Sequence, residues 1–283
     1  MNTTPVAIVT DSTCDIPAAI ASERQIYVLP LHIQWGTDSL RDGVDISREA
    51  FYQRLVSDPV HPSTSQPTPQ EFVEIFQRAK AETGAQAVLA VTISSALSGT
   101  YNAARQAVDL VDFPVHLIDS RTTSGALGLL VLALADLRDQ GVSVDELVAR
   151  AHEYTGRTRA ILTIDTLDFL HRSGRVSAAR RWLGQILQIK PILHVEDGEL
   201  RALEAVRTRR NALNRMLERF NSWIQPDLPL SVAILYGTTP EDADWFEQEL
   251  RARWQPRFIM KVIASSAVGV HTGPGAMGLT LFQ

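Results

Sequence analysis

Ala87-Val88-Leu89-Ala90-Val91, followed closely by Ile93-Ser94-Ser95-Ala96-Leu97-Ser98-Gly99-Thr100-Tyr101, decides the fold class of this chain. A short, uninterrupted apolar run reads as a strand buried on both faces. The serine-rich stretch behind it reads as a turn, after which Tyr101, Ala104, Val108 and Val111 recur at helical spacing. Strand, turn and helix in that order form the unit of a mainly parallel α/β sheet. In such a sheet, ligands settle beyond the carboxyl ends of the strands. A helix start there offers unpaired N–H groups and a favourable dipole to an anion. Ser95 and Ser98 add hydroxyl donors and Gly99 permits close approach. One serine is expected to cap the helix, which leaves another free.

The pattern extends in both directions. Val6-Ala7-Ile8-Val9-Thr10 reads as a strand, and Tyr27 to Ile33 as another that Pro30 pushes toward an edge or a bulge. Pro114 to Asp119 reads as a further fully buried strand. Thr68-Pro69-Gln70-Glu71 is a capping box with proline at the first helical position, leading into the stripe Phe72, Ile75, Phe76 and Ala79. Ser143-Val144-Asp145-Glu146 repeats the device. The apolar run Ala126 to Ala135 is too short to span a bilayer and reads as a buried helix.

Beyond about residue 157 the pattern changes. Ala160 to Ile164, Pro191 to Val195 and Glu199 to Ala205 are strand-like, and Asp197-Gly198 signals a hairpin turn. Helices follow near Thr208 to Trp223 and after Thr239-Pro240-Glu241-Asp242. Strands are expected at Leu230 to Tyr236, Phe258 to Ile263 and Leu279 to Phe282. The expectation is a two-domain α/β protein. Residues 1–157 form a mainly parallel sheet flanked by helices, and residues 158–283 an α+β or mixed-sheet domain.

Composition narrows the function. The chain has 283 residues, 45% hydrophobic and 21% charged, with a formal net charge of -5. That is ordinary globular composition, and the negative balance without a dense basic run disfavours nucleic acid. A single cysteine, Cys14, excludes an internal disulfide framework and a multi-thiolate metal site. The start, Met1-Asn2-Thr3-Thr4-Pro5, has no basic-then-apolar leader pattern. A cytoplasmic location is expected, with membrane contact at most transient.

Two more segments resemble the serine motif in chemistry. Pro62-Ser63-Thr64-Ser65-Gln66-Pro67 holds the hydroxyls of Thr64 and Ser65 in a stretch that proline keeps extended. Gly269-Val270-His271-Thr272-Gly273-Pro274-Gly275 places an imidazole in a glycine- and proline-rich loop. Hydroxyls, a histidine and exposed N–H groups suit a carboxylate or a phosphate oxygen. The three segments therefore read as one anion-binding site. The turn His171-Arg172-Ser173-Gly174-Arg175-Val176 offers Arg175 to a bound anion or to an acidic side chain. Arg201, Arg207, Arg209 and Arg210 make a basic patch, either a solvated face or a docking surface for a protein partner. Asp11-Ser12-Thr13-Cys14-Asp15, after the first strand, suits helix capping, with a supporting role at the site.

Taken in order, several of these stretches make the chain resemble the DegV family of bacterial lipid-binding proteins over essentially its whole length. They are Val9 to Asp15, Thr64 to Pro67, Ser94 to Tyr101, Ile118-Asp119-Ser120, Ser173 to Val176, Lys190-Pro191-Ile192-Leu193 and His271 to Gly275. The resemblance implies one long-chain fatty acid between two domains, with no other cofactor and no catalysis. It places the carboxylate on Thr64 (Ser65 adjacent), Ser95 (Ser94 adjacent) and His271, with Gly273 in the same motif and Arg175 in support. It further implies a separate fatty-acid kinase as partner, docking on the region of Arg207 and Arg209. The family usually has Gly-Gly-Arg where this chain has Ser173-Gly174-Arg175.

Two other functions compete. A hydrolase using Ser95 or Ser98, His271 and Asp119 lacks the G-x-S-x-G elbow. A phosphoryl-transfer enzyme lacks a P-loop and an evident Mg²⁺-binding carboxylate cluster.

Overall fold

The computed structural model describes residues 5–175 and 189–283. Met1 to Thr4 of the N-terminal reading and Val176 of the arginine motif lie outside the described residues. Four strands, β1 (Val6–Asp11), β2 (Ile26–Leu29), β6 (Ala87–Thr92) and β7 (Val115–Asp119), form an all-parallel sheet in the order β2-β1-β6-β7. Its two central strands are buried throughout. Alternate residues feed opposite layers. Ala7, Val9, Val88 and Ala90 pack on α3 (Pro69–Thr83) and α4 (Thr100–Val108), while Ile8, Leu89 and Val91 pack on α5 (Ser124–Asp139) and α6 (Val144–Thr155). The capping box at Thr68 and Glu71 is formed in full. The short helix α1 (Ala18–Glu23) leads into β2.

The second sheet has six strands in the order β10-β9-β8-β13-β11-β12: β8 (Thr158–Thr163), β9 (Lys190–Glu196), β10 (Glu199–Val206), β11 (Ser231–Tyr236), β12 (Phe258–Ile263) and β13 (Met277–Phe282). It is mixed, with only β11 and β12 parallel. Both turn residues of the β9–β10 hairpin take positive φ, 53° at Asp197 and 83° at Gly198. That is the primed turn the Asp-Gly pair calls for. One face of this sheet packs on α8 (Arg209–Asn221) and α9 (Pro240–Arg253) through Val232, Ile234, Met216, Phe220 and Phe246. The other face meets α5 through Ala233, Leu235 and Leu129. Helix α5 is thus sandwiched between the two sheets and buried continuously from Gly125 to Leu132. A Cβ on Gly125 would lie 2.6 Å from the Cβ of Ala233, so only glycine lets the helix come this close.

Three readings are corrected. Tyr27 to Ile33 is not one strand: the chain breaks at Pro30, giving β2 in the parallel sheet and β3 (His32–Trp35) in another. Proline supplies no N–H to either ladder. The third sheet is antiparallel, in the order β4-β3-β5, with β4 (Asp38–Arg41) and β5 (Ser63–Ser65). Strand β7 is an edge strand and is only partly buried. Finally, His271 does not stand in a loop. It lies in the last turn of α10 (Ser266–Thr272), which packs with α7 (Asp168–Arg172), with α2 (Arg48–Ser57) and with the three-stranded sheet.

Candidate functional site

The site forms where β5, the turn into α4, the end of α7 and the end of α10 converge. Pairing with β3 holds Thr64 opposite Ile33. The Thr64 hydroxyl reaches His271 Nε2 at 2.9 Å. Those residues are 207 positions apart in sequence, so their meeting is a product of the tertiary fold. Helix α10 stops after Thr272 because Gly273 takes φ 79° and ψ 173°, a conformation essentially confined to glycine. A Cβ at Gly273 would stand 2.5 Å from the Phe169 ring. Gly273 therefore shapes the turn behind the imidazole.

Burial, and secondarily the positive charge of Arg175, pushes the His271 pKa down to about 3. The ring is therefore neutral at physiological pH and has one N–H to give. Its Nε2 is engaged by Thr64, while Nδ1 is buried with no partner. An unpaired buried ring nitrogen costs free energy unless a ligand group meets it.

Thr64, Ser98, Arg175 and His271 line one cavity, whose remaining wall is mainly apolar, with the hydroxyl residues Thr13, Thr123, Ser124, Thr272 and Thr280 among it. Leu31 and Ile93 contribute from the first half of the chain, and Ile161, Leu170, Val195 and Leu235 from the second. The cavity has a volume of about 130 Å³, against the ~10–15 Å³ that a single water needs. Ala160 on β8 and Gly278 on β13 leave part of this space by lacking bulk on strands that otherwise carry large apolar side chains. A polar cleft containing Ser95, Ser98, Asn102, Arg175 and Arg201 adjoins the cavity and shares Leu97, Ser98, Arg175 and Leu200 with it. The structure thus offers a mainly apolar space whose lining includes the neutral Thr64–His271 pair and one guanidinium, that of Arg175.

The other expected site residues are distributed around this centre. Ser98 Oγ accepts from the Thr100 N–H at 3.3 Å, but the N-cap of α4 is Gly99, which has no side-chain cap, so the expected serine cap is not formed. Ser95 lines the polar cleft, and its hydroxyl donates to Asp119 Oδ2 at 2.5 Å. Ser94 is buried and donates to the Gly198 carbonyl at 2.7 Å, tying the serine turn to the β9–β10 hairpin. Ser65 is exposed and accepts from the Gln34 amide at 3.2 Å. The Gln66 side chain lies where a Cβ on Gly99 would fall, so the 62–67 segment and the serine motif are in direct contact. Arg175 is exposed and bonds the Ser173 carbonyl at 2.5 Å.

Of the two arginines read as docking residues, Arg207 is exposed. Arg209 is used internally. It pairs with Asp242 at 2.9 Å, donates to Thr239 Oγ1 at 3.0 Å and bonds the Gly275 carbonyl, which fixes the turn after α10.

The buried carboxylates after β1 also proved more than local caps. Asp11 accepts from the Thr13 N–H and hydroxyl and from the Ile93 N–H, joining β1 to the turn after β6. Burial pushes its pKa up to about 6. The sequence marked Asp11 and Asp15 as polar residues at a strand end, but nothing in it marked Asp42, which bonds the start of α10. The apolar cavity wall was not readable either, because a leucine lining a cavity has the same sequence signature as one in the core. Among the described residues, no group of three or more His, Cys, Asp or Glu side chains is placed to hold a metal ion. No described helix is long and apolar enough to cross a membrane.

Comparison with known proteins agrees with this architecture. A family model described as an uncharacterised protein of the DegV family matches residues 5–283, and the chain belongs to that family. A DegV domain-containing protein of Streptomyces coelicolor is 36% identical over 278 residues, 98% of each chain. The solved structure of a fatty-acid-binding DegV family protein from Thermus thermophilus superposes with a TM-score of 0.92 at 27% identity, covering 99% of both chains. A stearic-acid-binding protein from Eubacterium ventriosum gives 0.91 at 27% identity over 98% of each.

Proposed function

We propose that this chain is a non-catalytic carrier of a long-chain fatty acid. The carboxylate sits at the Thr64–His271 pair, with Arg175 and the serine motif beside it, and the acyl chain lies in the apolar cavity. The observation that carries this reading is a neutral polar pair, Thr64 Oγ1 to His271 Nε2 at 2.9 Å, on the wall of a mainly apolar space. The unpartnered His271 Nδ1 supports it, because a bound carboxylate would accept the ring proton. So does the fatty-acid binding of the Thermus and Eubacterium relatives. On this reading the protein works in the cytoplasm and presents its ligand to a separate fatty-acid kinase, with exposed Arg207 in the docking surface.

One feature favours a hydrolase: a hydroxyl, that of Thr64, is hydrogen-bonded to an imidazole. A catalytic triad also needs a carboxylate on the other ring nitrogen. Here Asp119 holds Ser95, and no described group holds Nδ1. The carrier reading is therefore preferred.

Native mass spectrometry of freshly purified protein, with extraction and identification of the ligand, tests both. One fatty acid per chain, lost in His271→Ala while the melting transition is kept, is the expected result. A protein that neither contains nor takes up fatty acid, and turns over an activated ester, would reverse the order.

A further inference from the structure

We propose that Asp15 and Asp42 are positioning residues for the ligand site, clamping the start of α10 so that its last turn presents His271 to Thr64. This rests on the carrier reading for its purpose, though not for its geometry. Three successive backbone N–H groups at the head of α10 go to these two carboxylates. Ser265 donates to Asp15 Oδ1 at 2.6 Å, Ser266 to Asp42 Oδ1 at 3.0 Å and Ala267 to Asp42 Oδ2 at 3.4 Å. Such groups have no partner within a helix and are commonly left to water or a local cap. Here they are met by side chains more than two hundred residues away in sequence.

The same carboxylates reach the other parts of the site. Asp42 Oδ2 accepts from the Ser12 hydroxyl at 2.8 Å, and Ser12 Oγ accepts from the Leu31 N–H at 3.0 Å. Asp42 also donates its own N–H to the Leu31 carbonyl at 2.9 Å. Leu31 leads directly into β3, the strand that carries β5 and Thr64. Asp15 Oδ2 accepts from the Ser124 hydroxyl at 2.5 Å, at the start of α5. Both members of the Thr64–His271 pair are therefore referred to one rigid anchor. Because α10 rises only about 1.5 Å per residue, His271 is one short step from that anchor, and displacement at Ser266 passes almost undiminished to the imidazole.

The clamp is more than a fold requires. Both carboxylates are fully or almost fully buried, and burial raises the pKa of each. Their nearest cation is Arg48, 4.0 Å from Asp15, whose guanidinium also donates to the Ile263 carbonyl at 2.7 Å. Helix α10 already has a serine cap, Ser265 Oγ accepting from the Val268 N–H at 3.4 Å, so the two carboxylates are added to it at the cost of burying charge. Two carboxylates fix direction as well as satisfying the donors, since each holds its oxygens in a plane bonded from two sides.

The test compares Asp42→Ala, Asp42→Asn and Asp11→Asn. Asp11 is an equally buried carboxylate that bonds the β6 turn and makes no bond to α10. The first readout is the ¹⁵N NMR titration of His271 without ligand, where Arg175 is the charged group facing the ring. In Asp42→Ala the ring should gain solvent and titrate at least one pH unit higher. Asp42→Asn, which keeps an acceptor oxygen, should lie between, and Asp11→Asn should leave the ring where it is even if stability falls. The second readout is palmitate affinity, expected to drop at least tenfold in Asp42→Ala. If Asp42→Ala does not fold, Ser12→Ala and Asp42→Asn carry the comparison. An unchanged His271 titration in the Asp42 variants, or an equal shift in Asp11→Asn, overturns the clamp. His271 shifts in the Asp42 variants, together with a wild-type protein that ignores palmitate, would retain the clamp and remove the carrier reading.

Discussion

Replacing Thr64 by valine is the sharpest test of how the polar end of the cavity works. Valine keeps the shape of threonine and removes only the hydroxyl, so the packing of β5 against β3 is undisturbed. In the empty protein, His271 would then have no partner on either ring nitrogen, since Nδ1 already lacks one. Leaving a buried polar atom unpaired costs about 1–3 kcal/mol. In the bound protein the single Thr64 O–H proton goes to Nε2, so a carboxylate on Nδ1–H would lose the group that fixes the imidazole tautomer and aims its proton. Hydrogen bonds to charged groups contribute about 1.5–3 kcal/mol, and each 1.4 kcal/mol is tenfold in affinity. Fatty-acid affinity should therefore fall by roughly ten- to one-hundred-fold. Displacement of a fluorescent fatty acid measures the affinity, and thermal unfolding of the same sample separates it from loss of fold. The variant Thr64→Val should also be combined with His271→Ala. If the hydroxyl acts through the ring, the double variant binds scarcely worse than His271→Ala alone. Wild-type affinity in Thr64→Val, or two losses that simply add, would refute a shared Thr64–His271 binding unit.

Two further outcomes concern stability. The folded protein keeps His271 unprotonated down to about pH 3, while the unfolded chain takes up a proton below about 6.5. Stability from this residue is thus lost as pH falls from about 6.5 toward 3, by at most about 4–5 kcal/mol. Asp11, pushed up to about 6, acts in the opposite sense, since the folded state binds its proton first. Urea unfolding between pH 4 and 7 should therefore show a shallower acid-side loss in His271→Gln than in the wild type, and identical slopes would contradict the buried neutral ring. Gly273→Ala puts a Cβ at φ 79° and 2.5 Å from the Phe169 ring. It should cost about 2 kcal/mol or more, visible as a fall of several degrees in the melting temperature, and an unchanged midpoint would show that the α10 turn can relax.

Much of the α/β framework was legible because its signals are local. The runs Val6–Asp11 and Ala87–Thr92 are strands by apolar continuity alone, and Thr68 with Glu71 caps its helix using only residues three apart. The Asp197-Gly198 turn likewise carries its own conformational preference. The third sheet was not legible, because its strands are only three or four residues long and two of them are polar; β4 is exposed at Asp38, Ser39 and Arg41. Helix α10 was hidden for a different reason. With Gly269 inside it and only seven residues, its local propensity is poor, and beside the local Ser265 cap its first turn is held by Asp15 and Asp42, far away in sequence. The site motifs at Thr64, Ser95 and His271 stood out as polar residues among turn formers. Whether those residues faced one another was a tertiary matter, and the structure separates them: Thr64 and His271 meet, while Ser95 turns to Asp119.

That separation bears on how a carrier lets go of its cargo. A carboxylate locked to a buried guanidinium would be costly to release, since departure strands an uncompensated buried charge. Here the groups at the proposed carboxylate position are neutral: a threonine hydroxyl bonded to an imidazole that burial keeps uncharged. Arg175, the one cation on the cavity wall among the described residues, is exposed and remains solvated when the site is empty. Retention must then come chiefly from the acyl chain, at about 0.8 kcal/mol for each buried CH₂, and the polar end supplies orientation more than affinity. Fatty acids of increasing length should accordingly bind more tightly until the apolar space is filled, while the loss caused by Thr64→Val stays constant across the series. A penalty that instead grew with chain length would mean that Thr64 shapes the cavity rather than holding the carboxylate.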